Sequence, residues 1–140
     1  MKHILLPTDF SANSWNALEY ALRFFKNESC TFYILHIGEL KYSGVNSNSF
    51  AFPSKKILAT IKKNIDSFSM RVERLLVHQK HHLIVLQEYG NFIDIIRKTV
   101  YEKKIDLIVM GTKGTSGLRT AVVGSNTGDV ITKVTCNVMV

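Results

Sequence analysis

The sequence predicts an open α/β fold, a parallel sheet covered by helices on both faces, and three observations carry that reading. Short apolar runs alternate with stretches of 3.6-residue periodicity from one end of the chain to the other. The run Leu107-Ile108-Val109-Met110 is continuously apolar, as in a strand buried on both faces, and is too short for a helix. It leads directly into a glycine-spaced turn, Gly111 to Gly117, and then into a helical pattern containing Val130, Ile131 and Val134.

The elements follow in order. A first strand is expected over His3 to Thr8, its apolar run being Ile4, Leu5 and Leu6, and Pro7 ends the ladder because proline lacks the N–H that a central strand donates. Asp9-Phe10-Ser11 turns the chain into a first helix marked by Trp15, Leu18, Ala21, Leu22 and Phe25. The second strand spans about Thr31 to Ile37. The segment from Gly38 to Pro53 is rich in Gly, Ser and Asn and reads as a loop, with Tyr42, Phe50 and Phe52 as its apolar residues. Ser54 is placed to cap the longest helix, whose stripe runs Ile57, Leu58, Ile61, Ile65, Phe68, Val72, Leu75 and Leu76. A third strand over Leu83 to Gln87 precedes a third helix, with Asn91 as candidate N-cap and Phe92, Ile93, Ile96 and Val100 as its stripe. The strand before the glycine turn, a fourth helix from about Ser125 and a closing strand from Asn137 to Val140 complete the pattern. No internal repeat or linker is visible, so residues 1–140 read as a single domain, either whole or one half of a tandem chain.

Composition narrows the class. Apolar residues make up 46% of the 140 and charged residues 21%, which describes a globular chain rather than a disordered one. No apolar stretch is long enough to span a bilayer, and Met1-Lys2-His3 runs straight into a strand rather than into a signal peptide. Cys30 and Cys136 stand far apart without metal-ligand spacing and read as reduced thiols of a cytoplasmic protein. The net charge of +7 raises the question of nucleic acid. Much of the excess, Lys55, Lys56, Lys62, Lys63, Arg71, Arg74 and Lys80, falls opposite an apolar stripe as on a solvated helix face. No aromatic residues interleave with it as base-stacking platforms would, so nucleic-acid binding is not expected; drawing in a small anion is a milder use of the same field.

The chemistry concentrates in the glycine turn. A strand, a glycine-rich loop and a helix N-terminus make a place for phosphate, since glycines allow backbone N–H groups to approach the oxygens and the first turn of the helix adds free donors. The spacing here is G-x2-G-x9-G-S, on Gly111, Gly114, Gly124 and Ser125. It is neither a Walker A loop nor the dinucleotide fingerprint. Ligands in open α/β sheets lie past the carboxyl ends of the strands. If the first strand is central, Thr8 and Asp9 would therefore face Gly111 and Gly114 across one crevice. Asp9 then either accepts from ribose hydroxyls or an adenine amino group, or caps the first helix. Ser125 either caps the fourth helix, contacts phosphate, or does both, with Asn126 and Thr127 supplying further polar groups. Lys113 and Arg119 are loop cations able to neutralise phosphate or simply to stand in solvent. His78, His81 and His82 do not make a metal set, because adjacent strand residues point to opposite faces. No catalytic triad or paired carboxylate stands out.

Three matches in order resemble the ATP-binding branch of the universal stress protein family. They are Ile4-Leu-Leu-Pro-Thr-Asp-Phe-Ser11, Asp106-Leu-Ile-Val-Met-Gly111, and the glycine spacing followed by the closing Asn-Val-Met-Val. The resemblance covers essentially the whole chain. It implies a Rossmann-like sheet of five parallel strands in the order 3-2-1-4-5, with ATP between the ends of the first and fourth strands. It implies that Pro7, Thr8 and Asp9 hold adenosine with Ile37 lining the adenine slot, and that Met110, Gly111 and Gly114 flank ribose and phosphates. Gly124, Ser125, Asn126 and Thr127 would hold the phosphate tail, with or without Mg²⁺ or Mn²⁺. It further implies pairing through the last strand, as a homodimer or a tandem, and a stress-response module that binds nucleotide with little or no turnover. Two departures are Asn137, where the family usually has proline, and the polar Asn126, where a small apolar residue is common. The alternatives are an adenylyl-transferring α/β enzyme, whose His-rich or Ser-Gly-Gly-x-Asp-Ser motifs do not occur here, and a dimerisation module without nucleotide, which usually lacks the glycine spacing.

Overall fold

The structure is a computed structural model that describes residues 1–42, 50–51, 53–76, 80–112 and 124–140. Among the described residues eleven elements follow one another: β1 (Lys2–Pro7), α1 (Ala12–Phe24), β2 (Cys30–Gly38), the two-residue strands β3 (Lys41–Tyr42) and β4 (Phe50–Ala51), α2 (Lys55–Leu76), β5 (His81–Tyr89), α3 (Phe92–Lys103), β6 (Leu107–Val109), α4 (Ser125–Lys133) and β7 (Asn137–Met139). Five strands form one parallel sheet in the order β5-β2-β1-β6-β7. Counting the strands of that sheet alone, this is the expected 3-2-1-4-5. The order reverses at β1, which pairs with β2 on one side and β6 on the other. The antiparallel β3–β4 ribbon, within the segment expected to be loop, stands apart from the sheet.

Alternation along the central strands divides the core into two layers. Ile4, Leu6, Phe32, Ile34 and Val109 pack against Leu18, Leu22, Phe68 and Val72 of α1 and α2. Leu5, Tyr33, Leu35, Ile108 and Met110 pack against Ile96 and Val130 of α3 and α4. Strands buried on both faces have no polar face, which is why their sequences read as unbroken apolar runs. The third sheet strand is longer than its apolar run suggested, because β5 pairs with β2 without interruption from Cys30↔His81 to Gly38↔Tyr89. β6 stops at Val109, yet Met110 continues the ladder by donating its N–H to the Met139 carbonyl (3.0 Å).

Three helices start on a side-chain cap. Ser11 accepts from Ser14 N (3.2 Å), Ser54 from Ile57 N (3.3 Å) and Asn91 from Asp94 N (3.1 Å), each satisfying a first-turn donor. Lys104 ends α3 in the left-handed conformation with φ 50°. The basic positions of α2 are less uniform than a purely solvated face. The Arg71 guanidinium lies 3.7 Å from the centre of the Trp15 ring, a cation–π contact between α2 and α1. Lys80 lies beyond the end of α2. Both cysteines are free thiols, Cys30 buried and Cys136 half-buried, and burial pushes the pKa of each up.

Candidate functional site

Two turns at the carboxyl edge of the sheet come together. In the first, after β1, Asp9 is exposed and its Oδ1 accepts the Ser11 N–H at 3.0 Å. Ser11, not Asp9, is the N-cap of α1, which removes one of the two roles open to Asp9. Partial burial alone would push the Asp9 carboxyl up, but hydrogen bonds from Ser11 and Ser14 outweigh it and hold the pKa below the ordinary carboxylate range. Asp9 is thus an ionised acceptor at neutral pH. Phe10 adopts φ 62°, a left-handed conformation that is costly for a bulky residue. The turn holds it there: Thr8 Oγ1 accepts the Phe10 N–H (3.1 Å), and the Phe10 ring stacks on His36 with centroids 4.6 Å apart.

Thr8 itself is turned away from the crevice. Its hydroxyl meets Ser14 Oγ at 3.0 Å and it lines a small enclosed space with Phe10, Ile34, His36, Ile65 and Phe68 on the α1/α2 side. Its side chain is engaged within the fold, and its N–H donates to the Leu35 carbonyl (2.8 Å) as a continuation of the β1–β2 ladder. His36 is held by Gln87 Oε1 (2.8 Å), and burial lowers its pKa, against the opposing pull of Gln87 and Asp9.

The second turn follows β6. Gly111 is packed so closely on the first turn of α1 that a Cβ built there would lie 3.0 Å from the Asn13 carbonyl oxygen and 3.2 Å from its carbon. Glycine suits this backbone-on-backbone approach, which sets the end of β6 against the first turn of α1. The Gly111 carbonyl accepts from Thr127 Oγ1 (2.9 Å), and Gly124 N donates to the Thr112 carbonyl (2.8 Å), so the start of α4 is tied to the end of β6 from both directions. Thr127 is 4% exposed, and its hydroxyl is spent on this anchor. Gly124 is the N-cap of α4, with no side-chain cap bond; Ser125 is the first residue of the helix rather than its cap. The first-turn N–H groups of α4 consequently meet no capping side chain among the described residues.

A cleft of about 570 Å³ lies beside this turn, lined by Ile37, Glu39, Leu40, Gly90, Asn91, Phe92 and Asn126. Ile37, Leu40 and Phe92 give it apolar walls, and Glu39, Asn91 and Asn126 a polar rim. Of the residues singled out in the sequence, Ile37 and Asn126 line the cleft. Pro7 ends β1 and Met110 is buried on the α3/α4 side, and neither is among the residues that line the cleft. Asp9, Gly111, Gly124, Ser125 and Thr127 belong to the two turns. Gly114, Lys113, Gly117, Arg119, His78 and Phe52 lie outside the described residues. Glu39, Leu40, Gly90, Asn91 and Phe92 were not singled out for a ligand. The available signal was their position: both the β2 and β5 exits lie at the carboxyl edge where ligands collect in such sheets. Among the described residues no group of three or more His, Cys, Asp or Glu side chains is placed to hold a metal ion, and no helix is long and apolar enough to cross a membrane.

A switch point in strand order, a glycine pressed against a helix start and a helix N-terminus without a side-chain cap among the described residues together define an open α/β protein with a cleft at the carboxyl edge of its sheet. The sequence matches the universal stress protein family over residues 1–140, and the chain belongs to that family. Solved structures agree on the fold. Universal stress protein UspA from Lactobacillus plantarum is 22% identical, with a TM-score of 0.68 and coverage of 99% of this chain and 95% of that one. A universal stress protein in complex with cAMP is 17% identical (TM-score 0.64; 99% and 94% covered). A family protein from Arabidopsis thaliana with AMP bound is 14% identical (TM-score 0.64; 99% and 90% covered). No curated protein sequence gives a significant match.

Proposed function

We propose that this universal stress protein binds an adenine nucleotide, ATP above all, and serves as a cytoplasmic stress-response module that reports nucleotide rather than consuming it. The observation that carries this reading is the start of α4. Its N-cap is a glycine without a capping bond, beside a cleft that Asn126 lines, while the neighbouring α3 is capped by Asn91. First-turn donors without a capping side chain among the described residues, together with the positive end of the helix dipole, suit a phosphate tail.

The remaining residues take roles that fit their places. Ile37 and Phe92 form apolar walls for a base, and Asp9, ionised and exposed, suits ribose hydroxyls as an acceptor. Pro7, the Thr8 backbone and Met110 shape the floor of the crevice. Gly111 and Gly114 let the loop backbone approach the phosphates, and Gly124, Ser125, Asn126 and the backbone N–H of Thr127 receive the tail. A Mg²⁺ or Mn²⁺ ion would arrive with the phosphates. Two relatives of this fold were solved with cAMP or AMP, which supports an adenine ligand. Pairing through β7, at one edge of the sheet, is the assembly the resemblance implies.

Purified protein should release adenine nucleotide on denaturation, detected by HPLC, or bind ATP saturably by calorimetry. Gly124→Val is the discriminating variant. Its backbone angles (φ −55°, ψ 150°) are open to valine, so the fold should persist while the branched side chain crowds the phosphate. A loss of at least roughly tenfold in affinity is expected, equivalent to about 1.4 kcal/mol. Unchanged binding by Gly124→Val, or no saturable ATP binding by folded wild type, would overturn the reading.

A further inference from the structure

We infer that the free edge of β5 is a second interaction surface, built to pair antiparallel with β5 of a second copy of this chain. The sheet has two edges of very different character. β7 is three residues long, whereas β5 is nine, from His81 to Tyr89. Among the described residues no strand pairs with the outer side of β5, so its outward N–H and C=O groups lack ladder partners.

Proteins usually blunt such an edge with proline, a bulge or inward charges. β5 has none of these over its middle. Its register with β2 runs through nine consecutive pairs without a bulge, and Leu83-Ile84-Val85-Leu86-Gln87 contains neither proline, glycine nor charge. Ile84 is 39% exposed and Val85 36% exposed, on opposite faces of the strand. On the Val85 side, α2 packs over the strand through Ile65 and Phe68 and leaves Ile57, farther along the same stripe, 52% exposed. Apolar surface therefore extends along both faces of an unpaired ladder.

The occupant follows from the strand's own pattern. A two-fold axis through Val85 sets Val85 opposite itself, Ile84 opposite Leu86, and His82 opposite Glu88. In that register apolar residues meet at the centre, Leu83 faces Gln87, whose amide is held by His36, and His82 meets Glu88, which also pairs with Lys98, at each end. A parallel, in-register copy would align Glu88 with Glu88 and His82 with His82 instead. The result would be a continuous ten-stranded sheet with a closed, isologous interface, independent of any pairing through β7.

Sedimentation of the wild type and of Val85→Lys tests this, with circular dichroism to verify the fold and Val138→Lys as the control on the other edge. The expected result is that Val85→Lys halves the assembled mass. A monomeric wild type, or an assembly that survives Val85→Lys and is split only by Val138→Lys, would overturn the inference. Cross-linking settles the matter if the lysine variant fails to fold. In a Cys136→Ser background, oxidised Val85→Cys should form a disulfide-linked dimer far faster than Ile131→Cys, an exposed position on α4. Equal, slow cross-linking of the two would count against it.

Discussion

Gly111→Ala is the sharpest perturbation the fold offers, because the atom it adds has a known neighbour. The new Cβ would stand 3.0 Å from the Asn13 carbonyl oxygen and 3.2 Å from its carbon, contacts with helix backbone that cannot rotate away. The first turn of α1 would have to yield by a few tenths of an ångström. Overpacking of this kind costs about 1–3 kcal/mol. The reduced freedom of the unfolded chain returns about 0.4–1 kcal/mol, leaving a net loss of roughly 1–2 kcal/mol. For a domain of this size that corresponds to a fall in Tm of roughly 3–10 °C. Gly128→Ala is the matched control. It lies inside α4, its added Cβ meets nothing within 4 Å, and its N–H is already bonded to the Gly124 carbonyl (2.9 Å). Replacing a helical glycine there should stabilise by about 0.5–1 kcal/mol. Differential scanning calorimetry of both variants should show opposite shifts. A Gly111→Ala melting at or above wild type, or a Gly128→Ala melting below it, would refute the claim that residue 111 sets the end of β6 closely against the first turn of α1.

Three further outcomes follow from the same geometry. Thr127→Val should cost about 1–3 kcal/mol in urea denaturation, since it leaves the Gly111 carbonyl without its partner, and Thr127→Ser should recover most of that. His36 is kept neutral by burial, so its folded pKa lies below its ordinary value of 6.5. Stability should be full above about pH 6.5 and decline as pH falls below it, where only the unfolded chain gains the proton. His36→Phe should flatten that decline in denaturation midpoints compared between pH 7.5 and 5. Asp9 depends on pH in the same direction but lower on the scale, with a folded pKa held below its ordinary 3.8. Its contribution is present above that value and is lost as pH falls through the lowered folded pKa, so Asp9→Asn should remove part of the acid slope in melts below roughly pH 4. A variant as acid-sensitive as wild type would contradict the assignment.

The alternation of strand and helix was legible because both faces of the central strands are buried, which leaves no polar residue to interrupt Ile4-Leu5-Leu6 or Leu107 to Met110. The caps at Ser54 and Asn91 were equally legible, being local chemistry within three residues of their donors, whereas at α1 the sequence pointed to Asp9 and the cap is Ser11, two residues on. What sequence could not decide was the direction of side chains at the turns. Alternation along β1 sends the Thr8 side chain to the α1/α2 layer and into a hydrogen bond with Ser14, a direction its place in the motif does not reveal. The cleft wall at Asn91 and Phe92 was hidden for a related reason. Each already had a sufficient local explanation, as a cap and as part of an apolar stripe, and only the packing of α3 beside β2 gives it a second role.

The start of α4 is where local stability and the proposed function pull apart. Three helices begin on a Ser or Asn side chain, whereas the one beside the cleft begins on Gly124, in a conformation (φ −55°, ψ 150°) that serine would adopt equally well. Gly124→Ser should therefore supply the missing cap, with Oγ accepting a first-turn N–H, and stabilise the fold by a few tenths of a kcal/mol. If those N–H groups serve the phosphate tail, the same substitution should weaken ATP binding, because the hydroxyl competes for the donors the ligand needs. A purely structural turn predicts the gain in Tm without the loss of affinity. Calorimetric titration beside a thermal melt separates the two: higher Tm with weaker binding identifies α4 as a helix left uncapped for its ligand, and higher Tm with unchanged or tighter binding removes that role from its N-terminus.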